Sequence, residues 1–475
     1  MAGAILQASP ERNGERLRIV KSTGKTADAR ETAELTARRS YGKLVALLAA
    51  RTGDVASAED ALAEAFASAL AEWPARGCPA NPDAWLLTAA RRKLIDSLRR
   101  RKSGAAAAEH LKLMAEEMSA AGADNPAIPD RRLALMFACA HPAIGAAVRA
   151  PLILQAVLGL DAAAIGRAFL VSPAAMAQRL VRAKSKIRRA RIPFRIPEPS
   201  EFRGRAGAVL DAIYACFVGG SMDAAETDSN RRDLADEALF LSRLVAEMMP
   251  EEPEARGLLA LLLHVEARRG ARRDAEGEYV PIGEQEVALW NRAMMGEAES
   301  LLRRAAAMGS IGRYQLEAAL QSAHVHRRLA GTNNWKEIVR LYDGLTALTH
   351  SPVVAINRAL ALAEVEGAVA GIAALDDLRE ETRLMEYQPY WAARAELLAR
   401  TGADERAKQA YSTAIALEAD PAVRRFLERR LASLRARCEA RPASERSLRL
   451  RPACAAGGSL ESAPASRSRE RGRCR

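Results

Sequence analysis

At 475 residues the chain is long enough for two or three domains, each able to bury its own core. Aromatic residues make up only 4% of it, Ala, Leu, Arg and Glu dominate, and β-branched residues scarcely alternate, which excludes a sheet-built architecture and predicts an all-α fold. The net charge of +12 points towards nucleic acid, yet residues 436–475 hold ten Arg against four Glu, so half of the excess sits in one tail and local clusters carry more weight than the total.

Residues 1–27 are polar and poorly patterned, which predicts a flexible start. Gly24-Lys25-Thr26 resembles the end of a phosphate-binding loop, but Ile19 stands where that loop needs glycine, and no strand precedes it. Three or four helices are predicted over 28–102. The one beginning at its cap Asp54 has five acids between Thr52 and Ala75, namely Asp54, Glu59, Asp60, Glu64 and Glu72, and no base. Ala58, Ala61, Leu62, Ala65, Phe66 and Ala69 form its apolar stripe, which leaves the carboxylates on the outer face. An acidic face in a DNA-binding chain fits a basic protein partner better than it fits DNA.

Three prolines and a glycine force a loop after Trp73, up to Pro82. The helix that follows places Trp85, Leu86, Ala89, Leu94 and Leu98 on its buried side and carries Arg91, Arg92, Lys93, Arg99, Arg100 and Arg101 as a basic surface. Trp85 reads as core, and Trp73 reads equally as core or as a stacking surface. Residues 103–129, rich in Ala, Gly and Glu, read as a linker with a short helix near 109–118.

From Asp130 the apolar pattern resumes and leads to a helix, a tight turn and a second helix. Asp161 caps the first, and Ser172 caps the second with Pro173 at its first position. Met176, Leu180, Ala183 and Ile187 follow the spacing of one buried face. Ser172, Ala175, Gln178, Arg179, Arg182 and Lys186 lead or line the outer side, and Pro173 to Arg191 holds seven bases and no acid. Early residues of such a helix can reach base edges in the major groove, and later ones neutralise phosphates.

Residues 200–437 read as helical, with turns at Pro250, Gly270, Gly309, Gly331, Pro352, Gly367 and Gly402. A degenerate repeat recurs at Ala298, Leu302, Ala305; Ile338, Tyr342, Leu345; Gly371, Leu375, Leu378; and Ala407, Tyr411, Ala414. First positions lie 40, 33 and 36 residues apart, which brackets a tetratricopeptide-like helix pair. His264, His324, His326 and His350 have no carboxylate or thiol pattern around them, and Cys139 with His141 lacks further ligands, so no catalytic set, metal or cofactor is predicted. The six cysteines form no C-x-x-C pair, and residues 438–475 read as a disordered basic tail. No stretch approaches eighteen uninterrupted apolar residues, which predicts a soluble, cytoplasmic chain with no membrane partner.

Four segments, 54–70, 81–101, 130–144 and 168–188, together resemble the two conserved domains of an extracytoplasmic-function sigma factor, a small member of the sigma-70 family of RNA polymerase specificity subunits. The resemblance spans most of 28–197, and the later part, with IPFRIP at 192–197, is similar to the subgroup bearing a long helical C-terminal extension. It implies that 28–102 is region 2, which meets core polymerase through Asp54, Glu59, Asp60 and Glu64 and captures the minus-ten strand beside Arg91, Arg92 and Lys93. It implies further that 130–197 is region 4, which reads the minus-thirty-five element, and that 200–437 regulates in cis, contacts polymerase or receives a regulatory protein. The partners are then core polymerase and promoter DNA, and the chain is no enzyme. A stand-alone helix-turn-helix regulator with a partner-sensing repeat is the second reading, and a plain helical scaffold the third.

Overall fold

A computed structural model describes residues 28–49 (other than 38, 39, 43 and 46), 55–101, 130–190, 197–221 and 229–440. Asp54, the N-terminal 27 residues, the 103–129 linker and the tail beyond 440 lie outside the described residues. Among those described the architecture is all-α, and the one β-bridge, Arg273 with Tyr279, is isolated. No helix among the described residues is long and apolar enough to cross a membrane.

Helical residues at 28–49 lead into α1 (Val55–Arg76), α2 (Pro82–Arg101), α3 (Arg131–Cys139), α4 (Ala146–Ala156), α5 (Ala162–Ala168) and α6 (Pro173–Ala190). Caps set their starts. Asn81 accepts from the Ala84 amide at 3.1 Å, Asp130 from Arg132 at 2.7 Å, Asp161 from Ala164 at 2.7 Å and Ser172 from Ala175 at 3.4 Å. Each satisfies an amide the helix itself leaves orphaned, worth about 1 kcal/mol. α1 runs through Pro74 to Arg76, so the loop predicted from Pro74 is confined to 77–81. Pro74 removes one amide, but Arg76 pairs with Glu72 at 3.1 Å one turn back, and Gly77 closes the helix at φ 87° by donating to the Trp73 carbonyl at 2.8 Å.

The second half comprises α7 (Arg203–Ser221), α8 (Ser229–Met248), α9 (Pro253–Glu266), α10 (Arg292–Ala306), α11 (Arg313–Ala330), α12 (Trp335–Thr349), α13 (Pro352–Glu366), α14 (Ala368–Asp376), α15 (Gln388–Arg400), α16 (Asp404–Leu417) and α17 (Pro421–Ala440). The last helix takes in the first three residues of the predicted tail. α11 packs chiefly on α9, two helices back, and from α12 onward each helix packs mainly on its neighbours in sequence, α12 on α13, α13 on α14, α15 on α16 and α16 on α17. Seven of the eight small positions at the ends of the repeated triads are buried: Ala298, Ala305, Ile338, Leu345, Gly371, Ala407 and Ala414. They lie on the alternate helices α10, α12, α14 and α16, while Leu378 falls just past α14 and is half-buried.

One hydrophobic cluster runs without a break from Ala29 through Leu62, Leu86, Phe137, Leu154, Met176 and Leu180 to Ile213, Leu262 and Ala318. α3, α4 and α5 all pack on α7. The first helices of the C-terminal half therefore complete the core of the α3–α6 segment. Separate smaller clusters follow, around Ile356 to Leu397 and Ala395 to Leu434, as expected where each repeat touches only its neighbours.

Candidate nucleic-acid and polymerase interfaces

The turn between α5 and α6 is tight. Val171 donates to the Gly166 carbonyl at 2.9 Å, and Leu170 adopts a left-handed φ of 52°. A methyl group at Gly166 would stand 2.6 Å from the Val171 carbonyl oxygen, so only hydrogen fits where the two helices meet. The sequence predicts the tight turn but does not single out Gly166. A glycine inside a capped helix, six residues before the next cap, was the available signal.

α6 buries Met176, Leu180, Ala183 and Ile187, as its periodicity predicts. Ser172, Gln178, Arg179, Arg182 and Lys186 are exposed, Ala175 is half-buried, and Arg182 lies 3.4 Å from the Gln178 side-chain oxygen. Val181 joins this outer surface at 67% exposure. Lys184 turns the other way, against α1, where it donates to Glu59.

On α1, Asp60 and Glu64 are exposed, as is Leu70 further along the helix, whereas Glu59 is half-buried against Lys184. Two neighbours feel that pair. Burial, with Glu59 and then Asp60, pushes the Tyr41 phenol up to about 12, and burial with Glu59 raises the Cys139 thiol well above its ordinary value. Backbone meets backbone at the same seam. A methyl group at Gly42 would overlap the Val157 carbonyl.

Arg91, Arg92 and Lys93 do not share one face, because consecutive helical residues are about 100° apart. Arg92 points to solvent, while Arg91 and Lys93 are half-buried, the latter 3.6 Å from Glu64. Trp73 is buried and meets Trp85 edge-on at 5.5 Å, with Trp85 half-buried beside the 77–81 loop. Trp73 is thus core. Trp85 is both a core neighbour and a partly open ring.

The C-terminal half braces this assembly. Arg205 of α7, 2% exposed, donates to the Phe137 carbonyl at 3.1 Å and pairs with Glu201 at 2.6 Å. Phe202 packs on Phe137 at 5.0 Å, and Arg132 of α3 reaches Glu237 of α8 at 2.6 Å. Of the four histidines, His264 is buried 3.4 Å from Glu299, His324 packs edge-on against Trp335 at 5.8 Å, His326 is exposed, and His350 closes α12 in a left-handed conformation. No group of three metal-ligating side chains occurs among the described residues.

Comparison with known proteins agrees with this arrangement. The family described as sigma-70 region 2 matches residues 37–104, which hold α1 and α2, and a family of unknown function (DUF6596) matches 205–306, which begins at the bracing Arg205. An uncharacterized protein of Rhizobium meliloti (strain 1021) is 38% identical over 383 residues, covering 80% of this chain and 90% of its own. No solved structure matches the chain. With the region 2 match on the acid-faced helix pair, and a relative aligned along most of its length, the chain belongs to the sigma-70 family of RNA polymerase sigma factors.

Proposed function

We propose that the chain is an extracytoplasmic-function type sigma factor that reads two promoter elements and helps open DNA between core polymerase and template. Asp60, Glu64 and the exposed Leu70 of α1 form its polymerase surface, and Asp54, immediately before α1 in the sequence, adds a further acid. The 77–81 loop, Trp85 and Arg92 receive the unpaired minus-ten strand. α6 enters the major groove of the minus-thirty-five element, Gln178, Arg179 and Arg182 at base edges and Lys186 at phosphates. Polymerase carries the phosphoryl chemistry, and this chain supplies position and strand capture. The repeat-like helices α9–α17 act in cis, and their attachment to α3–α5 through α7 supports a role in holding region 4.

The observation that carries this reading is the coincidence of the region 2 match with a helix whose solvent face is acidic, on one core with a helix whose solvent face is basic. Run-off transcription with purified core enzyme and the full chain tests it. One defined start site is expected, lost when core or chain is omitted. Random starts, or no association with core, would overturn it. Sequence-specific duplex binding without core would favour a stand-alone regulator.

A further inference from the structure

The solenoid contains guanidinium groups that no carboxylate neutralises. Arg268, just past α9, is 7% exposed, and it donates to the His264 carbonyl at 3.2 Å and to the Gln321 side-chain oxygen of α11. Arg328 donates to the Gln285 carbonyl at 2.9 Å, and Arg327 lies over the Trp335 ring at 4.5 Å. Every one of these acceptors is neutral. The nearby carboxylates are committed elsewhere, Glu266 to Arg269 at 2.6 Å and Glu299 to Ser322 at 2.5 Å. Arginine is seldom buried without a paired charge, since desolvating an uncompensated cation is costly.

Neighbouring groups register the same excess. Burial, then Arg327 and Arg268, push the His324 imidazole down to about 4, so it is neutral at pH 7, with Nδ1 buried and lacking a hydrogen-bond partner. Burial, then repulsion from Arg272, lowers Arg268 itself to about 10.

A strap roofs this cluster. The 269–291 segment leaves the first helix pair and crosses to the last helix, where Arg273 meets Asp420 at 2.6 Å, Glu278 takes Arg425 and Arg429 at 2.5 Å each, and Tyr279 packs on Phe426 at 5.5 Å. It is also tied to α11 between these ends. Gln285 holds Arg328, and the buried Trp290 clusters with Val325 while its Nε1 finds no acceptor.

We propose that Arg268 and Arg328 under the 269–291 strap, with Arg327 on the adjacent face of α11, bind a small ligand through an oxyanion group, a phosphate or a carboxylate. Planar guanidinium groups pre-oriented by neutral acceptors suit such a group, because it supplies the missing charge and accepts two hydrogen bonds side by side. A duplex backbone is excluded as the occupant, since Arg268 lies beneath the surface that a rigid helix could touch. The site is separate from the promoter-reading surfaces and does not depend on them.

The test uses the full chain, titrated calorimetrically with inorganic phosphate and, separately, with citrate, at constant ionic strength set by chloride. Saturable binding of at least one probe is expected, with a matching saturable rise in Tm. Arg327→Gln combined with Arg328→Gln should weaken it at least tenfold while the circular dichroism spectrum is unchanged, whereas Arg92→Gln should leave it intact. Binding of phosphate alone assigns a phosphate-bearing ligand, and binding of citrate alone a carboxylate. Two results would overturn the proposal: neither probe exceeding chloride, or the folded double variant binding as wild type does.

Discussion

Lys184 of α6 donates to Glu59 of α1 across 125 positions of sequence, so the helix proposed to meet DNA and the helix proposed to meet polymerase are joined through a partly buried ion pair. Their side chains are only 20% and 13% exposed, which separates this pair from the screened ion pairs of the surface. Lys184→Met should therefore lower stability by about 1–3 kcal/mol, the cost of leaving a half-buried acceptor without its donor. Urea unfolding of Lys184→Met, Glu59→Gln and the double variant measures the coupling. Strict additivity would mean that the pair does not form in solution.

Asp60 and Glu64 stand free of that seam and face solvent. Reversing both to Lys should reduce core-polymerase binding at least tenfold, measured by co-elution or by competition with labelled wild type. Tm should move little, because neither side chain is buried. Affinity of the isolated chain for promoter duplex should not fall.

Arg182 and Lys186 test the two kinds of DNA contact assigned to α6. Arg182→Ala should cost about 1–3 kcal/mol against the cognate upstream element and flatten discrimination at one base pair. Lys186→Ala should weaken all duplexes alike and lower the salt dependence of log K by about one phosphate. Fluorescence anisotropy at several salt concentrations separates the outcomes.

Arg205 closes the end of α3, since the Phe137 carbonyl it satisfies is one the helix leaves without an amide partner. Arg205→Met keeps the volume but orphans that buried carbonyl, an expected loss of about 1–3 kcal/mol in urea unfolding. Ending the chain near Pro199 removes Phe202 and Arg205 together and exposes Phe137, so loss of promoter-dependent transcription in that truncation is expected from region 4 alone.

His324 predicts an acid limb of stability. Its imidazole is held down to about 4 in the folded chain, while the unfolded chain protonates near 6.5. Between those values the unfolded state binds the extra proton. Stability is therefore fully present above 6.5 and lost as the pH falls towards 4. Urea unfolding at pH 7 and pH 5 should show wild type losing of the order of 2 kcal/mol relative to His324→Gln over that interval.

The amino-acid order by itself determined the all-helical class, the caps at Asp161 and Ser172, the buried stripe of Met176, Leu180, Ala183 and Ile187, and the small positions on alternate repeat helices. These are short-range properties. A cap acts over three residues and a helical stripe repeats every three or four, so neighbours in sequence carry the whole signal. Only tertiary structure decided that Glu59 turns inward to Lys184, that Gly166 lets α6 approach α5, that Arg205 of the C-terminal half finishes α3, and that a strap at 269–291 ties the first repeat to α17. Each depends on which surfaces meet after the helices form. Gly166 aside, the partners lie 68 to 147 residues apart and leave no periodicity for a linear reading to find.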